Sequence, residues 1–306
     1  MDFKDYKFRC HMVGKIINVP KPLTKNQEDT LNEYEIRSLG NGRPLTEKQK
    51  ITLIDLKHKL NESNTYKLTD SNKKILSSLV YATKYGRKTE LNSHQITKGL
   101  EVEKECRDIL SRVTGLFLTA SKERKENNWV TGAIDIEPNE VIPDIKSTWS
   151  WESFSKILEE SANELYLRQL DSYMDLWNKK ESLLCHVLTD TPFEIVEREV
   201  KTLDYKYNIL NMEGDVRDEN IEDVKKVVTN HIFSRHSLEN FCQYSSNIHI
   251  EWFEDFLEIP ENERVHMISH SFNQERIDQR NDCIILAREY MNTVKPINNF
   301  NPKLLF

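Results

Sequence analysis

The sequence predicts a mixed α/β fold in which a cluster of strands sits between helical regions. Three observations predict it. Helical signals recur at both ends of the chain, strand-like runs concentrate between about residues 116 and 190, and no internal repeat or low-complexity tract interrupts the order. At 306 residues the chain is long enough for one large domain, or a domain with an appendage, and for a real core. Twelve Phe, eleven Tyr and five Trp argue against disorder, although hydrophobic residues make up only 38% and charged residues 30%.

Residues 1 to 40, punctuated by Pro20, Pro22, Gly40 and Gly42, are expected to be irregular, with short strands or an extended arm. "TEKQKITLIDLKHKL" (46–60) and "TDSNKKILSSLVYATKYG" (69–86) read as amphipathic helices, the second capped by Asp70 or Ser71 and stopped at Gly86. A helix over 97–115 ends at Gly115. Three strand-like runs follow, "LFLTAS" (116–121), "WVTGAIDI" (129–136) and "VIPDIKST" (141–148). The last two are joined by "EPNE", whose Pro138 and Asn139 favour a tight reversal, so they are expected to form a hairpin. Residues 162–178 read as a helix and "SLLCHVLTD" (182–190) as a buried strand. "FEIVEREVK" (193–201) is one more strand candidate. After it come helical signals at 221–233, 249–257 and 279–294. The expected organisation is an N-terminal helical and irregular extension (1–90), a core (91–200) and a mainly helical C-terminal region (201–306).

No run approaches the roughly 20 apolar residues that cross a bilayer, and "MDFKDYKFRC" lacks the apolar centre of a signal peptide, so no membrane partner and a cytoplasmic location are expected. Cys10, Cys106, Cys185, Cys242 and Cys283 form no C-x-x-C pair, which suits reduced, buried thiols and disfavours zinc or iron-sulfur sites. A formal net charge of −7 weakens a nucleic-acid reading without excluding it, because a groove needs only local basicity.

Within "VIPDIKST", Asp144 and Lys146 are two apart, so on a strand they project together while Ile145 points away. Asp135 interrupts the preceding apolar run, and the expected hairpin places it beside Asp144. On the 97–115 helix, Glu103 falls on the apolar stripe of Leu100, Cys106, Leu110 and Val113, whereas Glu101 and Glu105 lie opposite. Alone, Glu103 reads as half of a structural ion pair. In company it gives three acids and one lysine. Two carboxylates about 4 Å apart repel by roughly 4 kcal/mol at an effective dielectric of 20. A divalent cation removes that conflict, and hard oxygen donors suit Mg²⁺ or Mn²⁺ rather than zinc. Beside a metal-bound water and a phosphate, Lys146 would offset charge growing in the transition state, which describes phosphodiester hydrolysis. Gln169 and Tyr173 share a helical face four residues apart, a pattern that alone means packing.

Glu103 in "KGLEVE", Asp135 in "GAID", Asp144 and Lys146 in "PDIK", and Gln169 and Tyr173 in "QLDSY" together resemble the ordered motifs of the PD-(D/E)XK nuclease superfamily. Within it they are most similar to the RecB-like branch, including YqaJ-type and lambda-type phage exonucleases. The resemblance covers roughly residues 95 to 190. It implies a restriction-endonuclease-like core, a mixed central sheet flanked by helices, with extra helical N- and C-terminal regions. It further implies that Asp135, Asp144 and the Ile145 carbonyl hold the metal, and that Glu103 binds it directly or through water. Lys146 would orient the attacking water, while Gln169 and Tyr173 would steady Lys146 and the scissile phosphate. The long terminal regions exceed a minimal phage exonuclease, and no four-cysteine iron-sulfur set is present in the sequence.

The expected function is therefore a metal-dependent exonuclease acting on linear duplex DNA. A single-strand annealing protein would be its partner by family analogy, and self-association into a homo-oligomer stays open. An endonuclease of defence or repair, and a catalytically inactive interaction protein on the same fold, are the alternatives. Further candidates have plain structural readings beside functional ones. The charged runs 85–98 and 121–128 contact phosphates or are solvated faces. Trp149 and Trp151 stack a base or pack the core, and His94 sits near the first acid or caps a helix. His266 and His270 lack the Glu of an H-E-x-x-H site and read as structural.

Overall fold

The structure is a computed structural model that describes residues 2–18, 20, 22–62, 65–87 and 93–295. The elements begin with β1 (Phe8–Arg9), α1 (Cys10–Val13), α2 (Lys25–Ser38), α3 (Glu47–Glu62) and α4 (Asp70–Tyr85). Next come α5 (His94–Glu101), α6 (Glu103–Thr114), β2 (Arg124–Glu126), β3 (Val130–Ala133) and β4 (Val141–Ser147). The chain continues through α7 (Trp151–Glu159), α8 (Glu164–Trp177), β5 (Glu181–Val187), α9 (Phe193–Tyr207) and α10 (Ile221–Thr229). It ends with α11 (Arg235–Tyr244), β6 (Val265–Ser271) and α12 (Gln274–Thr293). They divide into two compact units. The first comprises Met1–Lys88, Glu126–Thr131 and Asn273–Phe306, and the second Thr89–Lys125 and Gly132–Phe272. The boundary expected at 90/91 falls in 88–92, outside the described residues.

In the first unit α2 and α3 close on Leu23, Leu31, Leu53 and Leu56, with Tyr34 and Leu45 against them. The irregular reading of residues 1 to 40 is corrected here, since 25–38 is helical. Its apolar stripe is thin, Leu31 being its buried residue, so periodicity gave little signal. The legible signal is its capping box: the Gln27 N–H donates to Thr24 Oγ1, and the Thr24 N–H donates to Gln27 Oε1 at 3.1 Å. Thr69 and Asn72 repeat the device at α4, and Gly86, at φ 60°, ends that helix in the left-handed region. Tyr290 of α12 meets Ser77 of α4 hydroxyl to hydroxyl at 3.1 Å. Val130 and Thr131 pair in parallel with Phe8 and Arg9.

The second unit is built on the sheet β4-β5-β6. β4 and β5 run parallel, Asp144 opposite Leu184 and Lys146 opposite His186, and a parallel pair needs a crossover, which α7 and α8 supply. β6 is antiparallel to β5. Val102, Cys106 and Ile109 from the α5–α6 side pack with Val187, joined by Ile145 and Val265. A second core of Val196, Val224, Val228, Leu238, Phe241 and Phe253 holds α9, α10 and α11 together.

Several expected elements are corrected. The hairpin of 129–136 with 141–148 is not formed among the described residues: β3 takes β1 as a partner, while β4 pairs with β5. The 193–201 run is helix α9, because Ile195, Val196 and Val200 recur at helical spacing despite their β-branched character. Residues 249–257 make only a short 3₁₀ turn at Ile250–Phe253. "RVHMISHS" contains strand β6, α7 and α11 are added helices, and 116–121 contributes a single bridge at Ala120.

His231, just after α10, is 4% exposed, with its Nδ1 3.3 Å from Thr191 Oγ1 and its ring edge-on to Trp149. Burial first, then the charge of Lys98, pushes its pKa down to about 4. Between about pH 6.5 and 4 the unfolded chain takes up a proton that the folded imidazole refuses. Stability is therefore unaffected by this group above pH 6.5 and falls as pH drops toward 4, by up to about 3 kcal/mol. Urea unfolding of wild type and His231→Gln at pH 7.5 and 5 checks this. The variant is expected to lose less stability on acidification.

Candidate active site

The pleat of β4 puts Ile145 into the core beside Cys106 and Val187 and sends Asp144 and Lys146 to the other face. Asp144 is 3% exposed, and Lys146 Nζ stands 2.8 Å from its Oδ2. That oxygen has no hydrogen-bond partner beyond the ion pair. Burial works against the Lys146 charge, but Asp144, Tyr166 and Asp135 prevail and hold its pKa above the ordinary lysine value. The ammonium is thus fixed in the charged state.

From α8, Gln169 Oε1 lies 3.5 Å from Lys146 Nζ, and Gln169 Nε2 donates to Tyr173 Oη at 2.8 Å. Both side chains are buried. Tyr166, which the sequence reading missed, presents its ring 5.0 Å from Nζ. The signal was available: 166, 169 and 173 are successive steps along one helical face. Asn163 caps this helix, its Oδ1 accepting from the Leu165 N–H at 2.9 Å, so the polar face is aimed from its first turn.

Asp135 sits in the bend after β3. Its side chain keeps access to solvent, yet the protein around it desolvates it. That desolvation and the charge of Asp144 push its pKa up, with Glu103 adding to the rise and Lys146 opposing it. Glu103 is not on a buried stripe as expected. The 97–115 helix breaks at Val102, which closes α5 and opens α6, so Glu103 is an exposed residue of a first turn. Leu100 is 70% exposed for the same reason. Glu103, Asp135, Ile145, Gly99 and Ser147 nevertheless line one small cleft of about 30 Å³, room for an ion and a water or two. Among the described residues no three such side chains already stand at metal-gripping distance. The donor set still fits a hard divalent cation. It offers the Asp135 carboxylate, whose like-charge conflict with Asp144 a cation would relieve, and the exposed Glu103 carboxylate on the same cleft, while the buried Asp144 Oδ2 is already paired with Lys146 at 2.8 Å.

A Cβ added at Gly99 would meet nothing within 4 Å. Gly99→Ala is therefore expected to stabilise α5 by about 0.5–1 kcal/mol, read as a higher thermal midpoint. A lower midpoint would contradict the open space at this position.

Lys98 was also missed. It is 1% exposed, and Nζ donates to the carbonyl oxygens of Thr148 at 2.8 Å, Trp149 at 3.0 Å and Thr189 at 3.0 Å. Burial pushes its pKa down to about 8, so it stays cationic at neutral pH. Its three bonds tie α5 to the ends of β4 and β5. Beside Lys146 a pocket of about 310 Å³ is lined by Trp149, Tyr166, His186, Gln95 and Asn163. Burial, then His266 and Lys146, lowers the His186 pKa to about 4, which keeps a second cation out of the pocket.

The remaining candidates take mostly structural places. His94 Nε2 lies 2.9 Å from Arg198 Nη1 and Nδ1 3.7 Å from Glu199. His270 Nε2 is 2.9 Å from Asp171 Oδ1, joining β6 to α8, and His266 stands opposite His186 in the sheet. Trp149 packs on His231 and lines the pocket, whereas Trp151 is 42% exposed. In the 121–128 run, Lys125 lies over the Trp177 ring at 5.3 Å. Part of the 85–98 run, residues 88–92, lies outside the described residues.

No family model and no curated protein matches the chain. Among solved structures, a phage-related exonuclease from Haemophilus somnus 129PT superposes with a TM-score of 0.56 at 18% identity, covering 95% of both chains. An alkaline exonuclease from Laribacter hongkongensis gives a TM-score of 0.47 at 8% identity over 94% of this chain and 89% of its own. Its complex with dAMP gives 0.44 at 10% over 73% and 81%. The mixed α/β fold read from the sequence is thus shared, over nearly the whole length, with the phage-related exonuclease.

Proposed function

We infer that the chain is a PD-(D/E)XK nuclease that uses a divalent cation, Mg²⁺ or Mn²⁺, to hydrolyse phosphodiester bonds from the ends of linear duplex DNA. The observation that carries this reading is the buried Asp144–Lys146 pair with Gln169 and Tyr173 behind it and the Asp135 carboxylate near enough to feel the charges of Asp144, Lys146 and Glu103. The fold shared with a phage-related exonuclease supports it.

Asp135, Asp144 and the Ile145 carbonyl would hold the cation, with Glu103 reaching it directly or through water. A bound divalent cation supplies Lewis-acid stabilisation of the phosphate and a more acidic water. The chain's own contribution is orientation and charge. Lys146 Nζ, kept protonated by Asp144, donates to the attacking oxygen and offsets the negative charge that grows on the phosphoryl group. Gln169 Oε1 restrains that ammonium, and Tyr173 restrains Gln169. The 310 Å³ pocket, with its aromatic walls, is of the size of small-ligand sites and supports a nucleotide beside Lys146. A single-strand annealing protein as partner follows from the sequence resemblance.

End-labelled linear DNA and closed circular DNA, each with Mg²⁺ and with EDTA, test the reading. Cleavage confined to linear DNA and abolished by EDTA is expected. Nicked or linearised circles would shift the assignment to an endonuclease, and no cleavage with Mg²⁺ or Mn²⁺ would overturn it.

A further inference from the structure

In a chain of net charge −7, the stretch from Thr69 to Arg87 carries Lys73, Lys74, Lys84 and Arg87 against the single acid Asp70. It is the α4 region of the first unit, and the charge is not spread around the helix. Asn72, Leu76 and Val80, spaced by four, are buried. Away from them lie Lys73 and Lys74, then Ser77 and Ser78, then Tyr81, then Lys84 and Tyr85, at successive turns, with Lys74, Ser78, Lys84 and Tyr85 exposed and Lys73, Ser77 and Tyr81 half-buried, the last two bonded to Tyr290 and Lys295. Asp70, Lys73, Lys74, Ser77, Tyr81 and Tyr290 line an open groove of about 590 Å³ along this face.

Its lining mixes cations, hydroxyls and aromatic rings. Asp70 compensates Lys73 only loosely, at 3.7 Å, and is itself 94% exposed. Tyr81 and Tyr85 are stacked, with centroids 6.5 Å apart and planes at 24°. Tyr85 is 47% exposed, and Lys84 Nζ lies 5.5 Å from its ring. Lys73 and Lys74 at one end of the groove and Lys84 about three turns further on suit a phosphate chain, and the exposed ring of Tyr85, backed by a half-buried Tyr81 whose hydroxyl donates to the Lys295 carbonyl at 3.3 Å, suits unpaired bases, whose faces a duplex would hide. An acidic protein partner would meet the lysines but leave the tyrosine pair unexplained.

We propose that the outer face of α4, from Lys73 to Tyr85, binds single-stranded DNA as a second site in addition to the carboxylate cleft. The biological sense of this rests on the nuclease reading, because an exonuclease that removes one strand of a duplex leaves the other unpaired. The binding itself does not depend on cleavage.

The test uses the full chain in EDTA, fluorescence anisotropy and a labelled single strand of about 20 nucleotides, longer than a site of roughly 4–16. The duplex of the same sequence and heparin serve as comparisons, over a salt series. The triple variant Lys73→Gln, Lys74→Gln, Lys84→Gln is expected to flatten the slope of log affinity against log salt by about 2, at about 0.7 per lysine. Tyr85→Ser is expected to weaken single-strand binding at least about fivefold while Tyr85→Phe retains it. Thermal midpoints equal to wild type exclude misfolding, since these side chains lie on the surface. An unchanged salt slope would overturn the proposal. So would a Tyr85→Ser variant indistinguishable from wild type, or tighter binding of duplex than of single strand. Metal-dependent cleavage by the same preparations separates the two readings. A wild type that binds through α4 but never cleaves overturns the nuclease and not this site, and one that cleaves while α4 variants bind normally does the reverse.

Discussion

Lys146→Met is expected to lower DNA cleavage about 10³-fold, measured as single-turnover hydrolysis of end-labelled duplex. That corresponds to about 4 kcal/mol of transition-state stabilisation, the usual scale for one preorganised charge aimed at a reacting centre. The substitution also strands Asp144, 3% exposed, without its cation, so the folded state is expected to lose several kcal/mol in the same variant. The double variant Asp144→Asn, Lys146→Met separates the two effects. Neither residue then carries charge, so stability measured by urea unfolding should recover relative to the single variant while cleavage stays at background. Recovery of cleavage together with stability would mean that the pair is only a structural ion pair.

Lys98→Ala is expected to cost about 3–4 kcal/mol of stability, the largest effect predicted for any residue outside the carboxylate cleft. The truncation empties a site that is 1% exposed and strips a charged donor from three carbonyl oxygens at once. Lys98→Met, which keeps most of the packing volume but none of the donors, should recover little of that loss if the hydrogen bonds dominate. Chemical denaturation of both variants decides the matter. Near-equal stability of Lys98→Met and wild type would show that packing, and not the ammonium, holds these strand ends.

Much of the site was legible because its residues obey short periods. Asp144 and Lys146 are two apart on a strand, and Gln169 and Tyr173 four apart on a helix. Those periods survive into the structure, since β4 and α8 are regular over the relevant residues. What the periods could not show is how elements pair. Asp135 reaches the neighbourhood of Asp144 from a bend after a strand whose partner is β1, not through the expected hairpin. Pairing between distant segments leaves no trace in local spacing. Glu103 was placed on the correct helical region but on the wrong side of its surface, because nothing in "KGLEVEKE" marks Val102 as a break. Lys98 escaped because a buried lysine looks in sequence like any solvated one, and only the three carbonyls that surround it reveal its role. The 193–201 run misled through composition: β-branched residues suggested a strand where the spacing of Ile195, Val196 and Val200 describes a helix.

The break at Val102 constrains how the chain can vary in length. Lys98 lies before it and Glu103 after it, five positions apart, one pinned to strand ends and the other presented to the cleft. A residue inserted between them would rotate everything downstream by about 100° and advance it about 1.5 Å, which carries the carboxylate away from its neighbours while the anchor stays put. Beyond Gly115, at φ 70°, the exposed Leu116 and Phe117 carry no such restriction. Insertions and deletions should therefore be tolerated in that connection and absent from the five-residue span.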